Sequence, residues 1–440
     1  MTIPVTGYDV VIVGAGLAGL SAALTVAEFG LNPIVFEKAD KPGGATAYSY
    51  GGFNAADSGR QIPLGIEDSP EKHFRQALKR SGDKGREPLL KTLCYEAYGT
   101  QQWLETIGVQ FEDRIYRAPG SHFPRTHKPV QQSGAAYIEA LLRALEPFEV
   151  PIVTEAEVKT LIRARAADRE GYEGPVTGVR GVCRGQAFTC HARCGVVLAS
   201  GSFIRNPSMM ALYAPGLAHV APWFDVGAEG IMHQAATDIG AGLVGMSYFE
   251  IGCTSSTFGI PNDPSRFILV NRLGERFVRE DLQKSEILPA VLRQPDRMAW
   301  MIAHGQDHRD PLAQPALEQL LMRALDRFNE SVMLERPDPF GRDPRLLRVI
   351  EKPFSVSKLT PKLLTSYGGI EIDETARVLD RYGQPIEGLT AAGDVTGGIH
   401  GEHALYGDLL ASAAVFGRIA ARTLVWSGRK RPIGRRRMSR

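Results

Sequence analysis

Residues 397–408 read GGIHGEHALYGD and set His400, Glu402, His403 and Tyr406 among four glycines. Tyrosine and histidine can donate to a ketone oxygen, hold one oxygen of a carboxylate, or pass a proton. Two plainer roles stay open from the residues alone: Tyr406 as a packing ring and His403 as a supporting group. A second stretch with chemical potential lies near the start, where Gly14-Ala15-Gly16-Leu17-Ala18-Gly19 follows the apolar run Tyr8–Val13. Glycines so spaced permit a tight turn, close approach of the backbone to a pyrophosphate, and close packing of the next helix on the strand.

These residues need elements to hold them. Tyr8–Val13, YDVVIV, has the continuous β-branched character of a buried parallel strand. An Ala-rich amphipathic helix is expected over residues 20–29, and a second strand over 32–36, ending at Glu37. That acid stands eighteen residues past Gly19, where a carboxylate meets a ribose hydroxyl and disfavours a 2′-phosphate. Asn271-Arg272-Leu273-Gly274 is expected as a hairpin turn between apolar strands, residues 311–333 as an amphipathic helix, and a further helix from near Gly134. Arg125 and His127, just before that helix, are candidates to reach the pocket.

The chain of 440 residues is 43% hydrophobic and 23% charged, enough for a large core and for two or three domains, or one domain with an insertion. Net charge is +2, yet the last fourteen residues, SGRKRPIGRRRMSR, hold seven Lys and Arg and no acid, so the remainder is about −5. The tail 427–440 is expected to be a disordered solvated terminus, with contact to RNA or anionic membrane as the alternative. Five cysteines without a CxxC suggest no disulfide framework, no zinc site and no attached haem. No secretory leader or apolar run near the roughly 20 residues of a bilayer span is evident, and a cytoplasmic location is expected.

Residues 38–56, KADKPGGATAYSYGGFNAA, resemble the GGxTxxSxGG stretch of the fumarate reductase and succinate dehydrogenase flavoprotein family, related also to 3-ketosteroid dehydrogenases and tricarballylate dehydrogenase. Further resemblances are Cys194–Phe203 to VVLATGGF, Phe267–Lys284 to LVNxxGxRFVNE, Ser366–Ile370 to TxGGI, and Gly388–Asp394 with Val415–Arg418 to the family's closing block. The resemblance spans essentially the whole chain. It implies an α/β fold: a Rossmann-like, glutathione-reductase-like FAD-binding domain at 1–245 and 356–426, interrupted by an α+β capping domain at 246–355. FAD is the implied cofactor. It would be met by Gly14, Ala15, Gly16, Ala18, Gly19, Glu37, Lys38, Gly43, Gly44, Ala45, Thr46, Ser49, Gly51, Gly52, Val158, Ala199, Gly201, Asp394, Gly407, Leu409 and Leu410. Members that attach FAD covalently use a histidine in the segment matching Gly43–Gly52; none stands there, so FAD is expected to be non-covalent.

For activity, the resemblance implies hydride transfer with flavin N5 on a carbon–carbon bond beside a carbonyl or carboxyl group, with a proton relay at the other carbon. The family's relay arginine lies four residues after the glutamate that matches Glu280; here that position is Lys284. Lys284, His400, Tyr406 and Arg276 are the catalytic candidates, and His403, Tyr367 and Ala404 the substrate candidates. Ala404 aligns with the arginine that grips a substrate carboxylate in the family's HGxNRLGGN loop, and a methyl group cannot form that bidentate contact. A small ketone or carboxylic acid other than fumarate is therefore the expected substrate. Alternatives are an aspartate-oxidase-like flavin oxidase and an RNA-associated flavoprotein using the basic tail. No haem motif, second dinucleotide fingerprint or iron–sulfur cysteine set names the electron partner.

Overall fold

The computed structural model describes residues 7–429 except 119, 166–172, 225, 255–259, 262, 283, 306–307 and 312–314. Most of the basic tail lies outside the described residues. The chain divides into two compact units: residues 1–218, 224–250 and 365–440 form the first, and residues 219–223 and 251–364 the second. The sequence reading drew the insertion at 246–355. The strand Phe354–Ser366 runs on beyond that limit, which carries the second unit to Leu364.

In the first unit, the β-branched run becomes the strand Tyr8–Val13, with residues 10–12 fully buried. It pairs in parallel with Pro33–Phe36 on one side and Gln186–Leu198 on the other. Ile152–Val153 extends the parallel sheet at one edge, and Pro385–Ala391 at the other. An antiparallel meander, Ala156–Arg165 and Glu173–Cys183, continues from Gln186–Leu198. The strands Ile152–Val153 and Ala156–Arg165 are separated by a break at Glu155, which has a left-handed φ of 54°.

The first helix spans Leu17–Glu28 and is buried along nearly its whole length, so its apolar character surrounds it rather than forming one stripe. Part of its cover is the helix Asp408–Arg429. A Cβ at Gly417 would stand 2.3 Å from the Ala18 carbonyl, so the two backbones approach too closely for any side chain there. The window Asp408–Gly428 is long and apolar enough to cross a bilayer by length and composition, which the sequence reading missed. Of that window, 61% is buried in the protein's own interior, as for a core helix.

The second unit is built on a mixed sheet in the order Phe249–Thr254, Phe354–Ser366, Ala299–His304, Phe267–Val270, with His308–Arg309 beside Phe354–Ser366. Alternation divides its strands between two cores. Phe267, Leu269, Met301 and Leu359 join Ile287 and Val291 of the helix Lys284–Leu292 on one face. Ile268, Val270, Trp300 and Ile302 join Leu321, Leu325 and Phe328 of the helix Pro315–Met333 on the other. The turn at residues 271–274 closes with Asn271 N–H on the Glu275 carbonyl, but only one bridge, Val270 to Arg276, follows it.

Candidate active site

The glycine turn is shaped by the protein's own backbone. Gly14 has φ 105°, and a Cβ there would meet the Ala199 carbonyl oxygen at 2.3 Å. A Cβ at Gly19 would stand 1.9 Å from the Gly14 carbonyl oxygen. Gly16 differs: nothing lies closer than 3.9 Å to its hypothetical Cβ. The space beside Gly16 is therefore kept clear although no protein group fills it. Gly16 is also the N-cap of the helix Leu17–Glu28, with no side-chain cap and no acid in the first turn. An open, dipole-positive helix end of this kind suits a pyrophosphate.

Glu37 lies beside this turn. Its carboxylate accepts from the backbone N–H of Ala15 and of Ala39, both at 2.8 Å, which fixes its orientation. Lys38 bridges Glu157 at 2.8 Å and also pairs with Glu229. Gly43–Gly52 folds back onto the turn: Gly43 N–H donates to the Ala15 carbonyl, and Thr46 Oγ1 accepts from Leu17 N–H at 3.3 Å. Gly44, Ala45 and Thr46 lie in the short helix Gly44–Ala47. Ser49 Oγ donates to the Thr46 carbonyl, so it is occupied in holding the bend. Val158 is buried in its strand, and Ala199 and Gly201 form the turn after Leu198. Asp394 accepts from Thr365 Oγ1 at 2.6 Å, and burial raises its carboxyl above the usual range. The cleared face at Gly16, the fixed Glu37 carboxylate and the histidine-free bend at Gly43–Gly52 fit a non-covalently held FAD.

The loop 397–408 docks onto residues 81–86, just after the helix Pro70–Arg80. Glu402 N–H donates to the Ser81 carbonyl at 3.0 Å, and Arg86 N–H to the Gly398 carbonyl at 2.8 Å. A Cβ at Gly401 (φ 56°) would meet Gly85 N and Ser81 O at 2.6 Å, so backbone lies on backbone. At its far end, Gly407 is pressed on Asn54. Asn54 Nδ2 and His73 Nε2 both reach Asp408 Oδ1, at 2.7 and 2.9 Å, in a fully buried cluster. Its Asp408 charge is retained, because the His73 and Asn54 contacts outweigh the upward push of burial. Neither His73 nor its pairing with Asp408 was found in the sequence; the two stand 335 residues apart with no shared motif.

Between these anchors, the polar residues meet. Tyr406 is 43% exposed, and its ring covers Gly52 so closely that a Cβ there would lie 2.6 Å from Cε1. Burial of its hydroxyl, with Tyr50 nearby, pushes Tyr406 up to about 12. His400 is buried and contacts Ser412 Oγ at 3.2 Å, while that hydroxyl donates to the Leu409 carbonyl. His400 thus donates from Nε2, and burial takes it down to about 4, leaving it neutral near pH 7. Its ring lies 5.7 Å from that of Tyr367. Tyr367 is itself buried and donates to Glu250. Burial and the Glu250 carboxylate hold its hydroxyl well above the usual range, opposed by the Ala404 amide and the Arg80 guanidinium. Arg80 Nε lies 3.4 Å from the Ala404 carbonyl. His403 is half-buried and lowered by burial and by Arg80. Glu250 and Arg80 were not singled out in the sequence, since neither lies in a motif.

The remaining candidates belong to both units. Arg125 forms a fully buried bidentate pair with Asp68, both bonds at 2.8 Å, and His127 contacts Ser58 Oγ at 2.9 Å. In the second unit, Arg276 grips Glu280 at 3.0 and 2.5 Å and Asp338 at 2.5 Å. Glu280 also accepts from Arg342 at 3.2 Å and from Leu269 N–H at 2.9 Å. Lys284 opens the helix Lys284–Leu292, and its side chain lies outside the described residues. Among the described residues, no group of three or more His, Cys, Asp or Glu could hold a metal ion.

A family model described as an FAD binding domain matches residues 9–410. The chain is similar to a probable fumarate reductase of Shewanella frigidimarina, 30% identical over 441 residues, which cover 94% of this chain and 74% of that protein. It is similarly 30% identical to the urocanate reductase of Eggerthella lenta over 457 residues, 94% of this chain and 74% of that one. Among solved structures, it matches an open-conformation flavocytochrome c3 fumarate reductase with a TM-score of 0.84 and 27% identity, over 96% of this chain and 78% of that chain.

Proposed function

This chain belongs to the FAD-binding flavoprotein family, and we propose that it reduces, or in reverse desaturates, a carbon–carbon bond next to a carbonyl or carboxyl group on a small substrate other than fumarate. It is an FAD-dependent oxidoreductase, and its relatives include reductases of fumarate and of urocanate. Bound FAD supplies a hydride donor or acceptor at flavin N5. The observation that carries the reading is the make-up of the loop: a methyl group at Ala404, with the Tyr367–Glu250 pair, neutral His400 and Arg80 around it.

In this reading, Tyr367 holds the proton for the second carbon at its hydroxyl oxygen. Burial and Glu250 keep Tyr367 protonated across the neutral range; to serve as the donor, its hydroxyl turns that one proton from Glu250 to the developing carbanion, and the phenolate left behind regains a proton from solvent. Glu250 orients the hydroxyl, and His400, being neutral, adds no charge that would repel a cation. Arg276, engaged by two acids, has a scaffolding role in the second unit. Gly14–Gly19 and Glu37 hold the dinucleotide, and Asp394 the stretch nearer the ring.

The reading is tested by anaerobic mixing. Reduced holoenzyme is offered fumarate, monocarboxylic enoates and enones, and return of the oxidised flavin spectrum is timed. Faster reoxidation by an enoate or enone than by fumarate is expected. Fumarate as the fastest oxidant of the panel overturns the reading.

A further inference from the structure

The loop lacks a cationic side chain at residue 404, but a guanidinium reaches the same residue from elsewhere. Arg80 is the last residue of the helix Pro70–Arg80, and its Nε lies 3.4 Å from the Ala404 carbonyl. Its position is built. Ser81, the next residue, accepts Glu402 N–H, and the chain at 81–85 packs on Gly401 without room for a side chain. A cation at a helix C-terminus is also stabilised by the carbonyl dipoles there. We infer that Arg80 is the substrate-binding cation of this site, taking over from the opposite element the task for which residue 404 has no charged group, and that the substrate therefore carries a carboxylate.

The surroundings support this placement. The charge of Arg80 is felt at both His403 and Tyr367, and its Nε meets the backbone of residue 404. Close by, His403 feels both Arg80 and Glu402, and Tyr367 donates to Glu250. A guanidinium offers a planar fork of donors matched to a carboxylate. One fork grips one carboxylate, which favours a monocarboxylic enoate over a dicarboxylate. The inference rests on the proposed function but can be read separately from it.

The test is a titration of holoenzyme with matched saturated acids and amides, propionate with propionamide and 3-phenylpropionate with 3-phenylpropionamide, followed by the absorbance of the bound flavin. Wild type is expected to bind the acid of at least one pair about ten- to hundredfold tighter than its amide, the scale of a charge-assisted contact. Arg80→Gln should abolish that preference and leave the amide affinity within about twofold, while Arg80→Lys keeps part of it because the charge remains. A wild type that does not prefer the acid in either pair, or a preference that survives Arg80→Gln, overturns the inference. Equal loss of acid and amide binding in Arg80→Gln overturns it too, since that marks a merely structural staple. If no panel compound reoxidises reduced enzyme while the acid preference and its loss in Arg80→Gln are seen, the proposed reaction fails and the anion site stands.

Discussion

The turn at Gly14–Gly19 and the loop at Gly397–Asp408 are both glycine-rich, but their glycines answer to different demands. In the turn, Gly14 and Gly19 are required by atoms a few residues away or on the adjoining strand: a Cβ at Gly19 would meet Gly14 itself. In the loop, Gly401 and Gly407 are required by residues more than three hundred positions away, Ser81, Gly85 and Asn54. The turn is thus a local solution to holding a phosphate and can be transferred intact between proteins. The loop is a docked surface whose side chains can change while its backbone seat stays. On that view, Ala404, Tyr406 and His403 are side chains that can vary while Gly401 and Gly407 keep the loop seated.

The largest effect should come from the turn. Gly19→Ala places a methyl group 1.9 Å from the Gly14 carbonyl oxygen, an overpacking that costs about 1–3 kcal/mol or more. It should purify without yellow colour. Gly16→Ala adds the same methyl where the nearest protein atom is 3.9 Å away, so the apoprotein should melt as wild type does, while FAD affinity falls by about tenfold or more through the lost approach of backbone to phosphate. Equal behaviour of the two variants in thermal melts of apoprotein and in FAD titrations would erase the distinction between a glycine held for the fold and a glycine held for the ligand.

Next in size are changes at the loop and at the proton-relay candidates outside it. Tyr367→Phe should slow the chemical step by about 10²–10⁴ in single-turnover reoxidation while FAD stays bound, because it removes the proposed proton and little volume. Lys284→Met tests the position that the family pattern puts forward. Near-normal turnover in Tyr367→Phe beside a dead Lys284→Met would move the proton relay to the second unit. Ala404→Arg should weaken monocarboxylate binding by about tenfold, through crowding against Arg80 and like-charge repulsion. Tighter binding of the monoacid in that variant, by the same absorbance titration, would show that space at residue 404 is not part of the recognition.

What could be read in the sequence follows the same division. The strand, turn, helix, strand and Glu37 could be read because their apolar runs, glycine spacing and acid stand within forty residues of one another, although Ala199 and the strand Gln186–Leu198 also shape them. The division of Phe267–Val270 between two cores also follows from local alternation. The importance of the 397–408 loop was evident from its composition, and its departure at Ala404 from the family's pattern. Arg80, Glu250 and His73 were not legible, because each gains its meaning from a contact across 117 to 335 residues. Arg125 shows the converse error. Lying in a polar stretch rich in charge, it has the look of a ligand-binding residue, yet Asp68, which neutralises it, sits 57 residues earlier in an unremarked loop.

The smallest effect distinguishes a histidine held for the site from one held only by packing. His400 and His233 are both buried and both lowered to about 4. His400 has Ser412 and Tyr367 beside it; His233, in the helix Ile231–Asp238, has neither ring nitrogen hydrogen-bonded and packs against Phe203 at 5.3 Å. For each, the folded pKa lies below the ordinary 6.5, so the unfolded chain binds the extra proton first as pH falls. The stability each histidine contributes is therefore complete above pH 6.5 and is lost progressively down to about pH 4, by roughly 3 kcal/mol per histidine. His233→Leu removes one such proton uptake and two unsatisfied polar atoms, so it should raise the melting temperature at pH 5 more than at pH 8 and leave turnover unchanged. His400→Leu should remove a comparable share of the pH dependence but lower turnover as well. Denaturation at pH 5 and pH 8, run beside flavin reoxidation rates for both variants, separates the two. If His233→Leu slows the reaction as much as His400→Leu, the loop histidine has no function that burial in a core does not already explain.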